Sequence, residues 1–174
     1  MKYTAILLFL LSITSYSQES LEFDTIVEVE SIKKEKLFEI LNDWVAINFN
    51  SANDVIQLSD KQNGKLIVKG LKNYSLGRTL YNCYNGHISF TLRILVKNNK
   101  YRVTLFQLKH QSINDNACSL GSLTKADLYA TKGWGKRYQN KIWADLKIKS
   151  DDLNKTILSS IKQKIQNFSK VEKW

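Results

Sequence analysis

Residues 87–108 read HISFTLRILVKNNKYRVTLFQL, and the alternation of apolar and polar side chains in this stretch predicts a β-hairpin. On the first arm the apolar residues are Ile88, Phe90, Leu92, Ile94 and Val96, interleaved with His87, Ser89, Thr91, Arg93 and Lys97. Asn98-Asn99 forms the predicted two-residue turn, and the return arm continues the apolar face with Tyr101, Val103 and Leu105. Each arm therefore has one face to bury and one polar face.

The residues before this hairpin predict a strand, a helix and another hairpin. Leu21 to Glu30 alternates like a half-buried strand, and Ser31 is a residue type that favours a helix N-cap. Apolar residues then recur every three to four positions over Ile32 to Asn48, which indicates an amphipathic helix. Lys61-Gln62-Asn63-Gly64 separates two short apolar strands and contains Asn-Gly, a strong turn signal.

The C-terminal part predicts helices after a stretch without a clear pattern. Residues 111–135 have the character of a loop-like insertion, and Tyr138 to Leu146 predicts a short helix. Ser150 is predicted to cap a last helix, whose apolar stripe runs from Leu153 to Phe168. The predicted fold is α+β, with the order β-α-β-β-β-β-α(-α). It is an antiparallel sheet of about five strands with helices packed on one face.

The N-terminus has the order of a secretory signal peptide. Met1-Lys2 is a short basic start, Ala5 to Leu11 is apolar, and Ser15-Tyr16-Ser17 places small residues before Gln18. The apolar run is shorter than the ~20 residues needed to span a bilayer. The residue directly after the predicted cleavage point is Gln18 and not a cysteine, so we do not expect a lipoprotein. We predict a signal peptide at 1–17 and one exported domain at 18–174, periplasmic or extracellular. The alternative is a buried N-terminal strand or helix.

The chain is strongly basic, with 26 Lys and Arg against 16 Asp and Glu, a formal net charge of +10. Removing residues 1–17 takes away Lys2 and leaves +9. Such a surface attracts phosphates, lipid headgroups and acidic glycans. Export makes nucleic acid an improbable partner, so an anionic envelope component is the expected class. The alternative is that the charge only maintains solubility.

Two cysteines, Cys83 and Cys118, are predicted to enter an oxidising compartment. One disulfide between them would close a loop of about 35 residues and add ~3–4 kcal/mol in the chain-entropy model. Two free, partly buried thiols are the alternative, because a domain of this size does not need the bond.

Four segments resemble a family of secreted Bacteroidota domains, domain of unknown function 4468, which has a TBP-like fold. Ser31 to Asn50 is similar to its capped helix, and Val55 to Lys61 with Gly64 is similar to its first hairpin. Lys69-Gly70 and Lys100-Tyr101-Arg102 match its next strand and the start of its return strand. The family-like region is about 22–110, and the C-terminal helical part is about 136–168. The resemblance implies a TBP-like or helix-grip-like sheet, and it implies neither catalytic residues nor DNA binding.

The only two histidines are predicted to face each other across the hairpin. With Asn98-Asn99 as the turn, His87 lies opposite His110, where Cβ atoms are ~5 Å apart. Such a pair is a candidate metal site, with Cys83, Asp115 and Cys118 as the only nearby further ligands. The alternative is two solvated or hydrogen-bonded histidines, and a register slip of one residue would separate them.

A run of cations and aromatics is the most conspicuous candidate binding site. Its members are the candidate binding residues Lys132, Trp134, Lys136, Arg137 and Lys141 together with the aromatic residues Tyr138 and Trp143, and glycines flank Trp134 on both sides. We expect Trp134 to stack on a sugar or base while the cations hold phosphate or carboxylate. The alternative is that Trp134 anchors a loop to the core and the lysines are only solvated.

No catalytic motif supports an enzyme. S-x-x-K occurs three times by chance in a chain rich in Ser and Lys, and the zinc-protease, P-loop and dinucleotide motifs are absent. We therefore predict an exported, non-catalytic envelope binding domain without a cofactor. Besides the basic run, its candidate surface is the outer sheet face with Arg93, Arg102, Thr104 and Phe106. The alternatives are an enzyme whose site has no readable motif and a structural or assembly protein of the envelope.

Overall fold

The computed structural model describes residues 19–49, 56–77, 79–114 and 116–171. The predicted signal peptide and its cleavage point lie outside these residues. Two short 3-10 helices, Thr79–Tyr84 and Asn116–Cys118, flank the central hairpin. The other elements are β1 (Phe23–Glu28), α1 (Lys34–Asn48), β2 (Ile56–Asp60), β3 (Lys65–Tyr74), β4 (Gly86–Lys97), β5 (Lys100–Ser112), β6 (Gly121–Ser122) and α2 (Lys136–Val171).

The strands form one antiparallel sheet in the order β1-β5-β4-β3-β2, and β6 pairs with β5. Both predicted hairpins are confirmed. Lys97 pairs with Lys100 around Asn98-Asn99, and Asn99 has a φ of +61°. Gly64, with a φ of +65°, closes the turn between β2 and β3. The sixth strand is a two-residue segment inside the stretch where the sequence shows no pattern.

Both helices pack on the same face of the sheet, and this confirms the predicted α+β architecture. The apolar residues of the central hairpin face inward as expected, and Leu92, Ile94 and Leu105 are fully buried. Trp44 of α1 donates a hydrogen bond through its indole N–H to Ser160 Oγ of α2, at 2.9 Å, which joins the two helices. Within the part of the chain that the structure describes, no helix is long and apolar enough to cross a membrane.

The N-terminus of α1 is capped from the central hairpin, and the prediction of a Ser31 cap is wrong. The helix starts at Lys34, and Ser31 lies before it in the left-handed region, with a φ of +57°. The backbone N–H of Lys34 donates instead to Asn98 Oδ1, at 2.9 Å. The acceptor for this helix N–H is thus a side chain 64 residues away in sequence, where a neighbouring residue in the chain usually supplies the cap.

The C-terminal part is a single helix of 36 residues, so the prediction that Ser150 caps a separate last helix is also wrong. Ser150 is fully buried, and its hydroxyl donates to the carbonyl of Leu146, at 2.8 Å. That bond to the preceding turn lets a serine lie inside a helix. Ser150 occupies a position on the buried stripe between Leu146 and Ile157, so the stripe continues through it.

Candidate functional site

A β-bulge in β5 changes the register on which the predicted histidine pair depended. The predicted pairing holds as far as Thr91 opposite Phe106. Gln107 is then inserted as an extra residue with a φ of +55°, and Ser89 pairs with Lys109 beyond it. A bulge of this kind shifts the following side chains by one position along the partner strand.

The two histidines therefore lie on opposite faces of the sheet, and the predicted His87–His110 pair is wrong. His87 pairs with Gln111 on the outer face, while His110 pairs with Ile88 and is fully buried. In the described residues no cluster of three or more His, Cys, Asp or Glu side chains is placed to hold a metal ion. Asp115 lies outside them.

The His110 ring is held in the core by a contact at each of its nitrogens and by one aromatic side chain. Its Nε2 lies 2.9 Å from the carbonyl oxygen of Tyr84, and its ring packs edge-on against Tyr74 with centroids 5.3 Å apart. The backbone N–H of Leu120 donates to Nδ1, at 3.1 Å. This network assigns the neutral tautomer with the proton on Nε2. Burial is the main cause that lowers the pKa of His110.

Cys83 and Cys118 form a disulfide that joins the two 3-10 helices, with Cα atoms 5.8 Å apart. Ser112, at the end of β5, donates its hydroxyl to the carbonyl of Cys83, at 2.6 Å. The disulfide lies beside the buried His110, since Tyr84 and Leu120 bind the imidazole and follow the two cysteines closely in sequence.

Of the five predicted binding residues, Lys132 and Trp134 precede α2 and the other three lie in its first two turns, where Lys141 contacts the 3-10 helix Thr79–Tyr84. Lys141 Nζ is 5.6 Å from the centroid of the Tyr81 ring, and this ring lies 6.0 Å from that of Tyr138. We call this region the basic aromatic surface. It comprises Lys132, Trp134, Lys136, Arg137 and Lys141 together with Tyr81 and Tyr138.

Trp134 is fully exposed, with a relative accessibility of 105%. It stands between Gly133 and Gly135, whose φ values of +103° and +88° are rarely adopted by other residues. The alternative in which Trp134 anchors the loop to the core is therefore wrong. Trp143 does that instead, because it is buried and its indole N–H donates to the carbonyl of Ala126, at 2.9 Å.

Asn140 also holds this loop. Its Oδ1 accepts from the backbone N–H groups of Tyr129 and Ala130, both at 2.9 Å, and its Nδ2 donates to the carbonyl of Ala130, at 2.8 Å. The fixed loop leads directly into the exposed Trp134. A lone asparagine between helical residues carries no sequence signal for such a role.

The first turn of α2 concentrates positive charge where a helix favours negative charge. Tyr138 and Gln139 donate their backbone N–H groups to the carbonyl of Gly135, so the helix begins at that point. Lys136 and Arg137 occupy its first positions, and the first turn contains no acidic residue. Because the helix macrodipole is positive at this end, the two cations are unfavourable there in the absence of an anion.

An exposed leucine extends the basic aromatic surface beyond the predicted residues. Tyr138 is 53% exposed, and Leu80, next to Tyr81 in the 3-10 helix, is 87% exposed. The run of cations and aromatics in the sequence already includes Tyr138, whereas no sequence pattern identified Tyr81 or Leu80. The contact between Tyr81 and Tyr138 is formed only by folding.

The outer sheet face is less available to an anion than the basic aromatic surface. Arg102 binds Asp24 through two of its nitrogens, at 2.6 to 3.0 Å, and Thr104 donates to the same carboxylate, at 2.9 Å. The hydrogen bonds from Arg102 are the main cause that lowers the pKa of Asp24. Arg93 lies over the Phe106 ring, 5.2 Å from its centroid. The positive charge of Arg102 thus already has a partner.

The antiparallel sheet with helices on one face agrees with the fold named by the family model that matches this chain. The family model described as "Domain of unknown function (DUF4468) with TBP-like fold" matches residues 23–111, half of the chain. The chain belongs to the DUF4468 family. Within this match lie β1 to β4, α1 and nearly all of β5, while the basic aromatic surface around Trp134 lies beyond it.

Two solved structures share the DUF4468 fold. A TBP-like protein from Parabacteroides distasonis is similar with a TM-score of 0.58 and 15% identity, over 82% of this chain and 93% of that one. A DUF4468 family protein from Bacteroides ovatus is similar with a TM-score of 0.53 and 12% identity, over 82% and 86%. At these identities the likeness is one of fold. Comparison with the curated proteins found no match.

Proposed function

We propose that this protein is an exported, non-catalytic binding domain of the cell envelope, and that its basic aromatic surface binds an anionic glycan. The full exposure of Trp134 carries the proposal. An indole in contact with water forgoes the hydrophobic stabilisation of burial, and two glycines with positive φ hold the chain at this point. The flat ring suits stacking on a sugar.

The charges around Trp134 favour an acidic sugar over a neutral one. Lys132, Lys136 and Arg137 are exposed, and they stand within three residues of the indole in sequence. Lys136 and Arg137 are repelled by the positive end of the helix dipole. A carboxylate or phosphate bound there would offset the repulsion of each cation. Lys141, held over Tyr81, extends the positive charge along the next turn.

The cellular location in this proposal rests on the sequence. The order of residues 1–17 is that of a secretory signal peptide. An exported protein is separated from most of the nucleic acid of the cell, so nucleic acid is not the expected ligand. Anionic polysaccharides and phosphate-bearing glycans are the polyanions that an exported basic protein meets. The net charge of +9 after removal of residues 1–17 would increase the rate of encounter with them at low salt.

A protein partner in the envelope is the second candidate, and the exposure of Leu80 favours it. Leu80 precedes Tyr81, whose ring contacts Tyr138 at the start of α2, and Leu80 and Trp134 are large apolar side chains with 87% and 105% exposure. Exposed apolar residues that lie together mark interaction surfaces. An assembly protein would bury both side chains against its partner.

The test measures binding of the chain from Gln18 to a uronic-acid polysaccharide and to a neutral polysaccharide of similar size. We expect the acidic polymer alone to bind, with an affinity that falls as salt rises. Trp134→Ala and the double variant Lys136→Gln/Arg137→Gln should each weaken binding. Lys97→Gln/Lys100→Gln is the matched control, since it removes two charges at the turn between β4 and β5, at the end of the hairpin away from the 3-10 helix Thr79–Tyr84.

The double variant at the helix start also separates binding from folding. Because Lys136 and Arg137 oppose the macrodipole, their replacement should raise the melting temperature of the free protein slightly while affinity falls. Equal binding of both polymers, or equal losses in the site variant and the control, would overturn the proposal. Capture of an envelope protein that needs Leu80 and Trp134, without binding of glycan, would favour the second candidate.

A further inference from the structure

A groove of about 870 Å³ lies where the helices leave the middle of β3 uncovered. Trp44 and Phe49 line it at the C-terminal end of α1, and Leu153 and Ile157 line it on α2. Phe90 of β4 forms its floor. The volume lies within the range of about 300–1,000 Å³ found for small-molecule sites.

Gly70 gives the groove its flat aromatic floor. It pairs with Phe90 in the sheet, and a Cβ at this position would lie 2.3 Å from the Phe90 ring and 3.0 Å from Phe49. The Phe90 ring thus extends over the neighbouring strand only because residue 70 has no side chain. Phe49 packs against Phe90, with centroids 6.4 Å apart, and continues the aromatic surface toward α1.

The polar donors in the helical walls are already used inside the protein. The Trp44 indole donates to Ser160, and the amide of Asn48 donates to the carbonyl of Trp44, both at 2.9 Å. The hydroxyl of Thr156 donates to the carbonyl of Asp152, at 2.8 Å. What the walls offer to a ligand is therefore mainly apolar contact.

The mouth of the groove is positive. Lys69 and Lys72 line it from β3, and both are exposed. Among the described residues neither lysine has a hydrogen bond or ion pair, and the described lining includes no Asp or Glu. Lys72 shares the helix-facing side of β3 with Gly70, whereas Lys69, three residues earlier, starts from the other face and lies at the rim of the groove.

We propose that this groove binds an amphipathic anion with one acyl chain and a carboxylate or phosphate head. The chain lies along Phe49, Phe90, Leu153 and Ile157, where it is removed from water. The head group lies at Lys72, with Lys69 at the rim of the groove, and neither charge is paired within the described residues. The apolar wall and the two lysines, with no Asp or Glu among the described lining residues, favour an anionic amphiphile over a neutral or cationic one.

This site is independent of the basic aromatic surface. Leu153 is 15 residues beyond Tyr138 on the same helix, a distance of about 22 Å at 1.5 Å per residue. A ligand can therefore occupy either site while the other is empty. The two proposals fail or succeed separately.

The test titrates four probes into the chain from Gln18 and measures heats of binding at low salt. Decanoate and decyl phosphate carry the chain and the head, decanol carries only the chain, and acetate carries only the head. We expect both anions to bind, decanol to bind more weakly and acetate not to bind. The ratio of the two anion affinities distinguishes a carboxylate from a phosphate source.

Variants locate the site. Lys69→Gln/Lys72→Gln should weaken decanoate binding by about fivefold to tenfold, as expected for lost ion pairs near the surface, and leave decanol unchanged. Lys97→Gln/Lys100→Gln removes the same charge elsewhere and should have little effect. Leu153→Trp, at a half-buried position, should fill the groove and weaken both probes, with circular dichroism and a melting curve reporting its fold.

Three results would overturn the proposal. The first is no binding of decanoate or decyl phosphate to the intact chain. The second is an equal effect of the two double-lysine variants, which would indicate general attraction by net charge. The third is unchanged affinity in a folded Leu153→Trp protein, or a loss of decanoate binding on Trp134→Ala, which would place the probe on the basic aromatic surface.

Discussion

The backbone N–H of Leu120 donates a hydrogen bond to Nδ1 of the buried His110, at 3.1 Å. A protonated imidazole has no acceptor to offer, so protonation would break this bond. Since Nε2 faces the carbonyl of Tyr84, the neutral ring ties together the segments that carry Cys83 and Cys118.

Acid should therefore weaken the fold through His110. Burial lowers its pKa below the ordinary value of 6.5, so below that pH the unfolded chain binds the proton more readily than the folded one. The contribution of the neutral ring is complete above about pH 6.5 and declines at lower pH, by at most about 1.4 kcal/mol per pH unit. Urea unfolding of wild type and His110→Gln at pH 7.5 and 5.0 measures it.

The two proteins share every other titratable group, so the difference between them isolates His110. We expect wild type to lose more stability than His110→Gln between the two pH values. Equal losses would show that His110 does not contribute to the acid response.

Loss of the disulfide should destabilise the protein without altering the sheet. Cys83 and Cys118 are 35 residues apart, and in the chain-entropy model a bond across such a loop adds ~3–4 kcal/mol. We expect Cys83→Ser/Cys118→Ser to lower the free energy of unfolding by about that amount. Reductant should have the same effect on wild type and none on the variant; stability unchanged by reductant would mean that the bond contributes nothing.

The hydroxyl of Tyr74 joins β3 to α2 and should respond to alkali. It donates to Asp145 Oδ2, at 2.9 Å, and burial is the main cause that raises its pKa far above 10. Its contribution is therefore complete below about pH 10 and is lost as the pH rises beyond that value, because the unfolded phenol then ionises first.

Tyr74→Phe should lower the free energy of unfolding by about 1–2 kcal/mol at pH 7, since it removes the donor and leaves the carboxylate partly buried. Asp145→Asn keeps an acceptor and is the milder control. Ultraviolet titration measures the phenol directly. If all tyrosines of the wild type titrated near pH 10 while the fold stayed intact, this assignment would be contradicted.

The cap on α1 should be lost on Asn98→Ala. The side chain of Asn98 accepts the backbone N–H of Lys34, at 2.9 Å, and removal of a helix cap costs about 1 kcal/mol. Asn98→Asp keeps the acceptor and adds a negative charge at a helix N-terminus, so it should retain the stability of wild type. Chemical unfolding of the three proteins tests this, and equal stability of Asn98→Ala and Asn98→Asp would refute it.

The candidate site was only partly predictable. The glycines and cations around Trp134 are adjacent in sequence, so local composition was enough to predict this segment as a candidate binding site. Its exposure depends on Trp143 and Asn140, which bind the preceding loop in place of Trp134. The contact of Tyr81 with Tyr138 crosses 57 residues of sequence, and no local pattern reports it.

The alternation of residues 87–108 and the two turn sequences were enough to determine the hairpins, the buried face and the α+β class, because strand periodicity and turn chemistry act between near neighbours. Tertiary structure alone decided the bulge at Gln107, which moved His110 into the core and away from His87. It also decided the cap of α1 by Asn98, the continuity of α2 through Ser150 and the groove over Gly70. Each of these depends on which distant side chain fills a space or satisfies a backbone group, and such partners are brought together only by folding.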